Sequence, residues 1–93
     1  MNAKKTNKRT MQSCLRRMDL AIGNWRLEGE RAAKDGDKGL ARQYATDVED
    51  LTAFRDAVAR GELDAARDAA DAMDTIVRDQ IPVRLYHNLF PQR

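Results

Sequence analysis

The sequence predicts an all-α fold: a small antiparallel three-helix bundle, built as a helical hairpin plus a third helix, with a short C-terminal helix. Three observations predict it. From Met11 to Ala32 the apolar and small residues Met11, Leu15, Met18, Ile22, Trp25, Gly29 and Ala32 recur at alternating spacings of four and three. That rhythm is one face of a helix, close to a coiled-coil seam. Two later segments, starting near Lys38 and Glu62, repeat a helical periodicity. Five glycines and two prolines are too few for a many-turned β fold.

Helix one is expected over 11–35, with Thr10 or Ser13 as its cap. Gly23 and Gly29 each weaken it by about 1 kcal/mol relative to alanine. Gly29 lies on the packing stripe, where a missing side chain permits close helix approach. The run Lys34–Gly39 reads as a turn. Gly36 suits the left-handed C′ position and Asp37 suits an N-cap. Residues 1–10 are polar and basic without periodicity, so they read as a flexible arm before a single helical domain over 11–93.

Helix two is expected over 38–60, with the stripe Leu40, Tyr44, Val48, Leu51, Phe54 and Val58. Asp47 falls inside that stripe by angle, and Arg55 falls at its edge. Gly61 ends the helix. Helix three is expected over 62–80. At 100° per residue, Asp64, Asp68, Asp71, Asp74 and Asp79 share one side with Arg67 and Arg78. Leu63, Ala66, Ala69, Ala70, Met73, Ile76 and Val77 share the other. Pro82 cannot continue that helix but can open a short new one. Leu85, Tyr86, Leu89 and Phe90 keep helical spacing up to Pro91.

A chain of 93 residues makes one domain of modest stability. Alanine supplies 14 of its 39 hydrophobic residues, which favours helix but adds little core volume. Cys14 is the lone cysteine, so no internal disulfide framework is expected. The basic start imitates the first part of a signal peptide, yet Arg16, Arg17, Asp19 and Arg26 interrupt the apolar stretch that a signal peptide needs next. No stretch approaches the roughly 20 apolar residues of a membrane span. The expectation is a soluble cytoplasmic protein, in a bacterial cell or, for a phage-encoded chain, in the host cytoplasm.

The net charge of +2 hides a split. Residues 1–17 hold six basic and no acidic side chains, whereas residues 47–79 hold four basic and ten acidic ones. A basic arm therefore precedes an acidic body.

The chemical motifs are weak. Asp35-Gly36-Asp37-Lys38-Gly39 starts like a calcium-binding loop. The later loop positions then carry Gly39, Leu40 and Thr46, where an acidic or amide ligand, a glycine and a glutamate belong. A plain turn explains the segment. Cys14 and His87 cannot make a zinc site alone, and Cys14 at the edge of a packing stripe is expected to be inert. No catalytic, cofactor or metal residue is therefore assigned, and enzyme activity is not expected. The turn Gly61–Ala66 resembles the interhelical turn of a tetratricopeptide repeat. The likeness covers one turn only. Phe54 stands where that family has a small residue, Pro82 falls too late, and no second repeat is present. A helical hairpin with a glycine cap accounts for it.

Three surface features remain. Lys4, Lys5, Lys8, Arg9, Arg16 and Arg17 can neutralise phosphates, or can merely solubilise. Arg16 and Arg17 stand near a helix N-terminus, where positive charge opposes the macrodipole, so helix stability does not explain them. The carboxylates Asp64, Asp68, Asp71 and Asp74 form either a solvated face or a docking surface for a basic partner. Leu20 and Leu27 lie opposite the main stripe of helix one, flanking Gly23 and Asn24. The Leu85–Phe90 segment, a homodimer seam or a partner surface would cover them.

The expected function is a non-enzymatic protein-binding module that works by contact with, or occlusion of, a macromolecular partner, most simply a protein with a basic surface. In size and lack of chemistry the chain is similar in style to the small accessory inhibitors of phages, anti-CRISPR proteins among them. The alternatives are a nucleic-acid-associated regulator using the basic arm and a structural subunit of a helical homo-oligomer. No membrane partner is expected.

Overall fold

The computed structural model describes residues 8–82 and Leu85, with side chains from Met11 onward. Four helices occur in order among the described residues: α1 (Lys8–Lys34), α2 (Lys38–Ala59), α3 (Leu63–Ala72) and α4 (Thr75–Arg78). No strand occurs among the described residues. The all-α class and the bundle are as the sequence predicts. α1 starts three residues earlier than expected, so the backbone of Lys8, Arg9 and Thr10 is helical. Residues 1–7 lie outside the described part.

Both hairpin turns close by the same local chemistry. Gly36 takes φ 82° and Gly61 takes φ 73°, conformations open to glycine because it has no Cβ. The Asp37 N–H donates to the Ala32 carbonyl at 2.9 Å, and the Gly36 N–H to Ala33 at 3.1 Å. Glu62 and Gly61 repeat this on Ala57 and Val58, at 2.9 and 3.0 Å. This pair of hydrogen bonds satisfies carbonyls that a helix end leaves orphaned. Asp37 then caps α2, its carboxylate accepting from the Leu40 N–H at 3.1 Å. Links this short make α1, α2 and α3 antiparallel neighbours.

The third helical segment departs from expectation. The sequence predicts one helix over 62–80, but α3 stops at Ala72. Met73 is extended (φ −76°, ψ 147°), and Asp74 likewise (φ −67°, ψ 158°). Arg78 reaches back across the break, donating from Nη2 to the Ala70 carbonyl at 2.9 Å and less closely to that of Asp71 at 3.5 Å. The Ala70 carbonyl also accepts from the Met73 N–H at 3.3 Å, so the guanidinium adds a second, shorter hydrogen bond at the interrupted helix end. The kink also redistributes the apolar side chains. Met73, Val77, Ile81 and Leu85 are all buried, whereas Ile76 is 69% exposed and Leu63 is exposed. Ile76 and Leu63 therefore leave the apolar side assigned to them.

The core joins Cys14, Met18 and Ile22 of α1 to Leu51, Phe54, Ala57 and Val58 of α2. Ala66, Ala70, Met73, Val77, Ile81 and Leu85 close over them. It thus fills the half of the hairpin that holds the start of α1 and the end of α2. Trp25 is expected on the stripe and largely buried. It is on the stripe but only partly buried, packed at the margin of the core. α3, at ten residues or about 15 Å, is too short to cover the whole hairpin. Gly29 does permit close approach there: a Cβ on it would lie 3.2 Å from the Cβ of Tyr44.

Candidate interaction surfaces

α3 carries its apolar side inward through Ala66 and Ala70. Its i, i+4, i+7 positions Asp64, Asp68 and Asp71 consequently face outward together, and all three are exposed. Asp64 accepts from the Arg67 guanidinium at 3.3 Å, with its own side chain 98% exposed. Asp74 is exposed too, but it belongs to the break, as the N-cap residue of α4 without a side-chain cap bond. The predicted four-carboxylate row is therefore three on one helix and one at the kink.

The kink brings Asp74 toward the middle of α2. Asp50 there is partly buried. Its carboxyl is pushed above the ordinary aspartate value, first by burial and then by the negative charges of Asp47, Asp74 and Glu49. Asp47 itself is buried, as its place inside the α2 stripe requires, and it accepts from Gln43 Nε2 at 2.9 Å. Asp74 thereby links the acidic side of α3 to that of α2.

α1 shows a different outer side. Leu20 is 65% and Leu27 60% exposed, and no described residue covers them. Leu85, the one described residue of the Leu85–Phe90 segment, packs into the core instead; the rest of that segment and His87 lie outside the described part. Arg16, Arg17, Arg31 and Lys34 are exposed on the same helix. Arg31 is paired with Glu28 at 3.4 Å, while neither Arg16 nor Arg17 forms an ion pair among the described residues. Of the other predicted phosphate-binding residues, Lys4 and Lys5 lie outside the described part. Lys8 and Arg9 are placed by their helical backbone only.

Two further features have weaker sequence signals. Arg55 forks onto Asp19 of α1, Nε to Oδ1 at 2.9 Å and Nη2 to Oδ2 at 3.3 Å, tying the hairpin together. Its place at the edge of the α2 stripe is the trace of this in the sequence. Beyond the core, Trp25, Gly29, Ala33, Tyr44 and Val48 line an open apolar groove of ≈ 390 Å³ between α1 and α2. Its small residues leave room rather than fill it.

Cys14 is buried. No group of three His, Cys, Asp or Glu side chains among the described residues is placed to hold a metal ion. No described helix is long and apolar enough to cross a membrane. Comparison with protein-family models, with curated sequences and with solved structures finds no match to this chain.

Proposed function

We propose that this chain is a non-enzymatic binding module that docks a macromolecular partner with a basic surface through the acidic side of α3. One observation carries the reading. Asp64, Asp68 and Asp71 stand exposed in a row, and Asp74 continues their charge toward an already crowded Asp50. Asp64 pairs with the Arg67 guanidinium, and an exposed pair of that kind contributes about 0–1 kcal/mol. Folding therefore gains little from these charges, and Asp74 makes ionisation of Asp50 less favourable. A concentrated negative field does speed association with a positive surface and selects its register.

The test pairs a stability measurement with a kinetic one. The D64N/D68N/D71N variant is expected to melt close to the wild-type temperature. Association with an immobilised helical peptide bearing Arg and Leu on one face is expected to slow about tenfold at low salt, with a weaker salt dependence. A variant that folds and associates at the wild-type rate assigns the face to solvent.

A second reading uses Arg16 and Arg17, which are exposed and lack ion-pair partners among the described residues. They would contribute to sequence-independent phosphate binding. Retention of wild-type protein on nonspecific duplex DNA at low salt, lost in an R16E/R17E variant, is its expected signature.

A further inference from the structure

We infer that the outer face of α1 is a docking surface for a second copy of this chain, and that it meets the acidic side of the neighbour's α3. The inference rests on the proposed docking role of that acidic side and names its partner.

The α1 face is defined by position. Arg16, Arg17, Leu20, Gly23, Asn24, Leu27, Arg31 and Lys34 fall within about 60° of the Leu20 direction at 100° per residue. All are exposed. Leu20 and Leu27 are separated by two turns, about 10.5 Å, and form an apolar pair between two basic ends. Gly23 lies beside them, and a Cβ added to it would meet nothing within 4 Å. No contact among the described residues accounts for this glycine, although an exposed mid-helix glycine costs about 1 kcal/mol. It leaves a low point beside the leucines, where another helix can approach.

Charge selects the occupant. Two α1 faces laid antiparallel across Gly23 and Asn24 set Arg16 against Arg31. Laid parallel, they set each arginine against its own copy. Arg31 already has Glu28 as its partner, whereas Arg16 and Arg17 have no ion-pair partner among the described residues, so that end of the face fits an acidic surface. The chain itself carries one. On α3, Ala65 and Ala72 repeat the seven-residue spacing of Leu20 and Leu27, with Asp64, Asp68 and Asp71 beside them. Ala65 and Ala72 are exposed among them as small side chains, and Ile76 stands exposed just beyond. An acidic helix face with small residues and one large apolar side chain is the complement of a basic face with two leucines and a glycine.

Such a contact joins different faces of the two copies. The joined pair retains one unused face of each kind, one on each copy, so assembly proceeds to a ring or an open chain.

Sedimentation equilibrium of the full chain tests this. The weight-average mass is expected to rise with concentration at about 50 mM salt and to return to the monomer near 1 M salt, where the screening length is about 3 Å. R16Q/R17Q and D68N/D71N are each expected to weaken self-association at least tenfold, with circular dichroism confirming that both fold. Mixing these two variants is decisive. One retains only its acidic face and the other only its basic face, so the mixture is expected to form a one-to-one dimer that grows no further. L20S/L27S is expected to weaken assembly without any change of charge.

A wild-type chain that stays monomeric up to millimolar concentration overturns the inference. So does a symmetric dimer indifferent to both charge variants. If the monomeric chain still binds the Arg/Leu peptide through α3, the acidic docking role stands and only the partner assigned here is wrong. If the monomer instead retains duplex DNA through Arg16 and Arg17, the α1 face belongs to nucleic acid and the inference likewise fails.

Discussion

Gly23 and Gly29 lie in the same helix and have opposite consequences. Each loses backbone entropy on folding. At Gly23 an added Cβ meets open space, whereas at Gly29 it meets the Cβ of Tyr44 at 3.2 Å. That Tyr44 atom is anchored to the backbone and cannot swing aside. G23A is therefore expected to raise stability by about 0.5–1 kcal/mol. G29A is expected to lower the melting temperature despite the same gain in helix propensity. Thermal unfolding of the two variants side by side checks the contrast. Asp50 gives a pH prediction. Its carboxyl is raised by burial and by Asp47, Asp74 and Glu49, so the folded state holds this proton more tightly than the unfolded one does. Above its ordinary value of 3.8 and up through the raised one, the folded chain binds more protons. The contribution of Asp50 to stability accordingly falls as pH rises through that window and stays unfavourable at neutral pH. D50N is expected to raise the melting temperature at pH 7, and the gain should shrink as pH is lowered through the same window. A variant that destabilises the fold at pH 7 would show that the carboxylate is needed for structure.

At the scale of elements, legibility followed local chemistry. The ends of α1 and α2 were readable because a positive-φ glycine and an N-cap aspartate act within a few residues of themselves. The break after Ala72 was not readable in the same way. Asp-Ala-Met-Asp-Thr contains neither glycine nor proline, and its apolar spacing continues a helix. The trace it left is Asp74, a residue type that competes for backbone hydrogen bonds and favours helix starts. Tertiary burial then decides the matter, since the kink places Met73, Val77, Ile81 and Leu85 in the core together. Arg78 bridges the kink by donating to the Ala70 carbonyl, which the Met73 N–H also reaches. R78A removes the shorter of that carbonyl's two hydrogen bonds, leaving the Met73 N–H at 3.3 Å, and is expected to cost about 0.5–1 kcal/mol in urea unfolding. R78K keeps one donor on a flexible stem and should recover part of the loss. If R78A is neutral, the Met73 N–H alone serves the carbonyl and the guanidinium does not hold the kink.

Across the whole molecule, the sequence showed which faces turn inward but not how deeply. The stripes of α1 and α2 run the full length of both helices, yet the third layer covers only the half containing Phe54 and Met18, both at 0% exposure. Trp25, Gly29, Tyr44 and Val48 belong to the other half, where two helices face each other beside an open groove. Periodicity reports direction and cannot report whether a further element arrives; that depended on the unreadable break. The exposed acidic face of α3 and the exposed Leu20 and Leu27 were readable because each lies opposite an apolar stripe on its own helix. The unequal layering predicts unequal local stability, because opening free energy tracks the density of buried apolar contacts. Backbone amides of 14–22 and 51–58 are expected to exchange hydrogen only through global unfolding. Those of 26–33 and 41–45 should exchange through smaller local openings, visible as weak dependence on urea. Mutation should reveal the same asymmetry. F54A removes a fully enclosed ring and is expected to cost about 3–5 kcal/mol. W25A removes a larger side chain from a half-open site, so the penalty should be about 1–2 kcal/mol, below the range for buried aromatic truncation. Equal penalties would mean that something covers the groove in solution, and protection of the 26–33 amides would then rise with protein concentration if the cover were another copy.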